Sequence, residues 1–113
     1  HNEAGIRYTM QQLDRIVQEK GGEKHIVMGF VADKAIDEII GLLPKEARYY
    51  LTQASIPRAL AAERLYEKFR SHGIEGTVYP SPKVAVEAAK AGAEENDVIY
   101  IGGSTFVVAD FLT

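Results

Sequence analysis

The segment His25-Ile26-Val27-Met28-Gly29-Phe30 decides the fold. It is a short, nearly continuous apolar run without the polar alternation of a strand that has one wet face. Such a run fits a strand of a parallel sheet, whose two faces are both covered by helices. Upstream, Ile6, Met10, Leu13 and Val17 recur at helical spacing until Gly21-Gly22, and Asn2 is placed to cap the first turn. Downstream, Asp33 is placed to cap a helix whose inner face uses Ile36, Ile39, Ile40 and Leu43 before Pro44 breaks it.

The alternation continues to the end of the chain. Arg48-Tyr49-Tyr50-Leu51-Thr52 has the aromatic and β-branched content of a strand, and Ser55-Ile56-Pro57 leads into a helical stretch through Leu60, Leu65 and Phe69 that His72-Gly73 closes. Thr77-Val78-Tyr79 predicts a third strand. Ser81-Pro82 opens a helix carrying Val84, Val86, Ala88, Ala89 and Ala93, since proline suits a first helical position. Val98-Ile99-Tyr100-Ile101 predicts a fourth strand, Gly102-Gly103-Ser104-Thr105 a tight turn, and Phe106 to Leu112 a last helix. A helix followed by four strand-helix units predicts an α/β fold: a Rossmann-like three-layer sandwich, its sheet mostly parallel, with helices on both faces and right-handed crossovers. The chain starts on a helix signal with no strand before it, so a first strand is expected to be lost at a fragment boundary.

With 113 residues, 46% hydrophobic and 26% charged, the chain is sized for one domain with a buried core. A net charge of -3 with scattered Lys and Arg provides no footprint for nucleic acid. The absence of cysteine excludes disulfides and thiolate metal sites and fits a cytoplasmic location. No apolar run approaches the roughly 20 residues of a membrane span, and no signal peptide opens the chain, so no membrane partner is expected.

Ligands of an open parallel sheet gather at the carboxyl ends of its strands. The candidates therefore follow the strands. Gly102-Gly103-Ser104-Thr105 puts two glycines and two hydroxyls before a helix, where backbone N–H groups favour a carboxylate or phosphate; Ser104 could equally just cap that helix. It is no phosphate loop, because the lysine of G-x-x-x-x-G-K-[ST] is missing, and no G-x-G-x-x-G supports a dinucleotide. Arg58, after Ser55-Ile56-Pro57, could grip a carboxylate with two hydrogen bonds or simply be a solvated arginine in a first helical turn. Asp33 and Lys34 stand at another strand end, with capping favoured for Asp33 over ligand contact. His1 sits at the terminus, and His25 and His72 have no partner at metal-ligand spacing in the sequence. Glu94-Glu95 reads as a solvated helix end. No nucleophile, base and orienting group can be assembled, and no metal set.

Four segments nonetheless follow one pattern in order. His1-Asn2-Glu3-Ala4-Gly5 resembles the end of the Asp-x-Gly/Ala-His-Asn-x-x-Gly motif opening the carboxyl-terminal domain of folylpolyglutamate synthases/dihydrofolate synthases. Met28 to Ile36 is similar to that family's Gly-x-x-x-Asp-Lys-Asp stretch, with Ala35 in place of the second aspartate. Ile56-Pro57-Arg58-Ala59-Leu60 resembles its Pro-Arg-Ala segment, and Gly103-Ser104-Thr105-Phe106 its closing turn. The wider relatives are the Mur ligases of peptidoglycan synthesis, over which the His-Asn opening favours the folate branch.

The resemblance implies one domain of a ligase that phosphorylates a carboxylate of dihydropteroate or a folate with ATP and Mg2+ and lets glutamate attack the acyl phosphate. It implies that an amino-terminal and central ATPase domain of the same chain mainly holds nucleotide and metal, that this domain closes over it and adds contacts to nucleotide and glutamate, and that residues 1–113 alone are inactive. It places glutamate at His1 and Ser104, to which Arg58 is added by analogy with an Asn-Pro-Arg type segment of the Mur ligases. Asn2, Gly103, Thr105, Asp33 and Lys34 are the second rank. A Mur ligase domain proper, or a free-standing anion-binding Rossmann-like module, are the competing expectations.

Overall fold

The computed structural model describes residues 3–32 and 35–103. The elements in order are α1 (Glu3–Lys20), β1 (Lys24–Gly29), α2 (Ile36–Ile40), β2 (Arg48–Leu51), α3 (Ala62–Ser71), β3 (Thr77–Val78), α4 (Pro82–Gly92) and β4 (Val98–Gly103). Together the strands form one sheet, ordered β3-β2-β1-β4 and parallel throughout. Asn2 and the expected final helix lie outside the described residues.

Side-chain alternation along the strands divides the core in two. Ile26, Met28, Tyr49 and Leu51 face Ile6, Met10 and Leu13 of α1, Ile36, Ile39 and Ile40 of α2, and Leu65 and Phe69 of α3. Val27 and Tyr50 face the opposite way, onto Ala85, Val86 and Ala89 of α4. Ile26, Val27 and Met28 are each 0% exposed, and every such side chain contributes about 1.5–3 kcal/mol on burial. β1 is thus the apolar centre that its sequence predicts.

The path of the chain explains the strand order. β1, β2 and β3 are laid side by side in one direction, with α2 and α3 on one face. The chain then returns over the other face through α4 and sets β4 against the free side of β1. The connections diverge between β1 and β4, and open sheets of this class bind their ligands at the strand ends beside such a point.

Several boundaries depart from the sequence reading. Ala35, not Asp33, occupies the N-cap position of α2, and Leu43 is buried beyond the helix end, in a turn where its N–H donates to Ile40 O. α3 starts at Ala62 rather than near Arg58, because the carbonyl of Arg58 and the N–H of Leu60 are bonded to the chain after β1 and are unavailable to a helix. In α4 the Ser81 hydroxyl accepts from Val84 N–H and sets the phase, so Pro82, Ala85, Val86 and Ala89 are buried and Val84 is 41% exposed. Gly102 and Gly103 belong to β4, paired with Met28 and Gly29, instead of forming a turn. A Cβ on Gly102 would lie 2.3 Å from Tyr100 Cε2, so the glycine makes room for that ring beside the strand.

Candidate functional site

The carboxyl end of the sheet is built from three strand exits. Beyond β1, the segment Phe30–Ala32 is met by the chain leaving β2: Val31 and Ala59 form an antiparallel bridge. Ala32 N–H donates to Arg58 O at 2.8 Å, and Leu60 N–H donates to Phe30 O at 2.8 Å. Gln53 closes this loop by accepting Ala62 N–H at 2.9 Å, which supplies the first turn of α3 with the cap that Ala61 lacks. On the other side of β1, Gly29 pairs with Gly103.

Two of the predicted residues stand at this end of the sheet, on either side of β1. Arg58 is an exposed loop residue held beside Ala32, the residue before Asp33, and Gly103 ends the neighbouring strand. Of the other candidates, His1, Asn2, Asp33, Lys34, Ser104 and Thr105 lie outside the described residues.

The amino end of the sheet holds an array that sequence spacing concealed. His25 is fully buried, with Nδ1 2.7 Å from the Tyr50 hydroxyl and Nε2 2.7 Å from Asp97 Oδ2. Ionised Asp97 can only accept, so Nε2 carries a proton, and in the neutral ring Nδ1 accepts from Tyr50. Asp97 also accepts Glu23 N–H at 2.8 Å and Glu94 N–H at 2.9 Å. These backbone donors, Glu94 first and then Glu23, followed by His25, hold its carboxyl down at about 2. Burial pushes the Tyr50 phenol up. His72 likewise has a partner, Asp37 at 3.3 Å, which also accepts from Lys68 at 2.9 Å; Lys68 is the main reason that the Asp37 carboxyl titrates low.

Glu23, His25 and Asp97 bring ligand-type atoms within 4.8 Å of one another. The bonds above already occupy His25 and both oxygens of Asp97, so the group is complete as a structural clasp joining the starts of β1 and β4. It stands at the opposite end of the sheet from the strand exits. No helix among the described residues is long and apolar enough to cross a membrane.

Comparison with known proteins agrees with the architecture. The Mur ligase glutamate ligase domain matches residues 1–105. A probable bifunctional folylpolyglutamate synthase/dihydropteroate synthase of Haloferax volcanii is 32% identical over 90 residues, which are 79% of this chain and 11% of that protein. The structure of E. coli FolC in complex with DHPP and ADP aligns with a TM-score of 0.85 at 26% identity, over 99% of this chain and 26% of that one. A ligand-free bifunctional folylpolyglutamate synthase/dihydrofolate synthase from Yersinia pestis aligns with a TM-score of 0.82 at 25% identity, over 96% of this chain and 25% of that one. The chain therefore spans a small part of the curated relative and about a quarter of the solved ones. On the match over nearly its full length, it belongs to the family of Mur ligase glutamate ligase domains.

Proposed function

We propose that residues 1–113 serve as the carboxyl-terminal, glutamate-handling domain of a longer ATP-dependent ligase that joins L-glutamate to dihydropteroate or a folate through an acyl phosphate. The observation that carries this reading is the glutamate ligase domain match over residues 1–105. The kinship with a folylpolyglutamate synthase of Haloferax volcanii and with E. coli FolC favours folate over muramoyl acceptors.

In this reading the strand exits form the glutamate site. Ser104, directly after Gly103, receives the substrate carboxylate, and Thr105 is the next residue of the chain. His1 and Asn2 are further groups for the same substrate. Arg58 supplies a guanidinium to a carboxylate from the loop tied to Ala32, next to Asp33 and Lys34.

The residues present do not fit ATP and Mg2+ as a binding set. The sequence has no phosphate-loop lysine, and among the described residues the one group of three ligand-type side chains lies at the far end of the sheet. Nucleotide and metal are held mainly by the remaining part of the ligase, over which this domain closes, adding contacts to the nucleotide.

The test is ATP-dependent incorporation of labelled glutamate by the full-length protein, with dihydropteroate, folates or muramoyl peptides offered separately. Incorporation into a pterin acceptor is expected. Transfer to muramoyl peptide, or no glutamate-dependent turnover, would refute the reading.

A further inference from the structure

Thr52 follows β2 at the carboxyl end of the sheet, and its Oγ1 is buried with no hydrogen-bond partner among the described residues. The side chain is 0% exposed. Its backbone is well held, since Thr52 N–H donates to Met28 O at 2.9 Å and so extends the β1–β2 ladder by one step. That step sets Thr52 beside Gly29, and Gly29 pairs in turn with Gly103.

The resulting row, Thr52–Gly29–Gly103, runs across three strands at one level. Tyr50, two residues before Thr52, and Val27, two before Gly29, both face α4, so the row belongs to that face by strand alternation. Two of its three positions are glycines and carry no side chain. At this level the sheet face is therefore bare main chain beside an enclosed hydroxyl that has no partner among the described residues.

A buried hydroxyl left without a partner costs stability, and such a group in a native structure calls for a missing partner. Its place in the fold identifies the partner. The row ends at Gly103, the residue before Ser104, at the strand exits where the connections of β1 and β4 run to opposite faces, the place where such sheets bind ligands. We infer that the Thr52 hydroxyl is a binding group for the glutamate substrate, donating a hydrogen bond to a carboxylate oxygen above Gly29 and Gly103. This rests on the ligase reading given above and adds a residue to its site. Contact requires a small local opening of the strand exits when glutamate enters, which also relieves the desolvation of the hydroxyl.

The inference makes stability and binding respond with opposite signs. Thr52→Val keeps the shape and deletes the stranded polar atom. In the full-length ligase it should leave the melting temperature unchanged or raise it, while raising the glutamate KM roughly 3- to 10-fold, the scale for one neutral hydrogen bond. The ATP KM should not move. Thr52→Ser, which restores the hydroxyl, should return the glutamate KM to within about twofold of wild type. An unchanged glutamate KM in Thr52→Val overturns the inference, as do equal losses for glutamate and ATP or a lowered melting temperature, each of which makes the hydroxyl structural. A wild-type enzyme without glutamate-dependent turnover fails earlier, on the ligase reading itself, and the inference falls with it.

Discussion

Arg58 shows how a residue's role depends on what its main chain is doing. Its carbonyl is engaged by Ala32 and its side chain is exposed, so truncation removes a charge without disturbing the core. Arg58→Ala in the full-length ligase should raise the glutamate KM about 10-fold or more, the effect of losing a charged hydrogen bond of about 1.5–3 kcal/mol. Steady-state kinetics with glutamate and ATP varied separately checks this. Asp97 acts in the opposite way, through stability. Its folded-state carboxyl titrates at about 2, below the ordinary value of about 3.9, so its contribution is present above about pH 4 and is lost as the pH falls towards 2. Asp97→Asn should lower the urea midpoint at pH 6 and flatten its decline between pH 4 and 2. An identical decline in both proteins would assign acid sensitivity to other carboxylates. None of this clasp was legible along the chain, because His25 and Asp97 are 72 residues apart and meet only when β4 pairs with β1.

At the level of elements, the apolar runs at 25–30 and 98–101 read directly as strands; the first is buried on both faces, whereas Val98 to Ile101 are half-buried. Boundaries read less well wherever a long-range bond decided them. Nothing local to Pro57-Arg58-Ala59 announces that the segment will pair with Phe30–Ala32 and delay α3 to Ala62. Most of the candidate site follows from the rule that ligands gather at strand exits, whereas Thr52 stood out only once its hydroxyl was seen to be enclosed. The Gly21-Gly22 stop after α1 conceals two different requirements. Gly21 has φ +76 and open space where a Cβ would stand, with nothing within 4 Å, while a Cβ on Gly22 would fall 1.9 Å from Asn96 O. Gly21→Ala should therefore cost about 1 kcal/mol, for the left-handed backbone alone. Gly22→Ala should cost about 3 kcal/mol, since main chain must shift. Urea denaturation of both variants, with Gly22→Ala the weaker, checks the ordering.

For the whole molecule, the return through α4 fixes a sequence of events as well as a shape. Tyr50 and His25 are 25 residues apart and belong to neighbouring strands, whereas Glu23 and Asp97 are 74 apart. Closing the longer loop costs more chain entropy before any bond rewards it. The β1–α2–β2 unit is therefore the part able to assemble early, and β4, at the edge of the sheet among the described residues, docks late, with the Asp97 clasp as its latch. A late latch controls escape from the native state, not entry into it. In stopped-flow refolding and unfolding, Asp97→Asn should accelerate unfolding and leave the refolding rate nearly unchanged, while Ile26→Val, in the centre of the early unit, should slow refolding. The domain's lifetime against unfolding would then be set at the end of the sheet farthest from the proposed glutamate site.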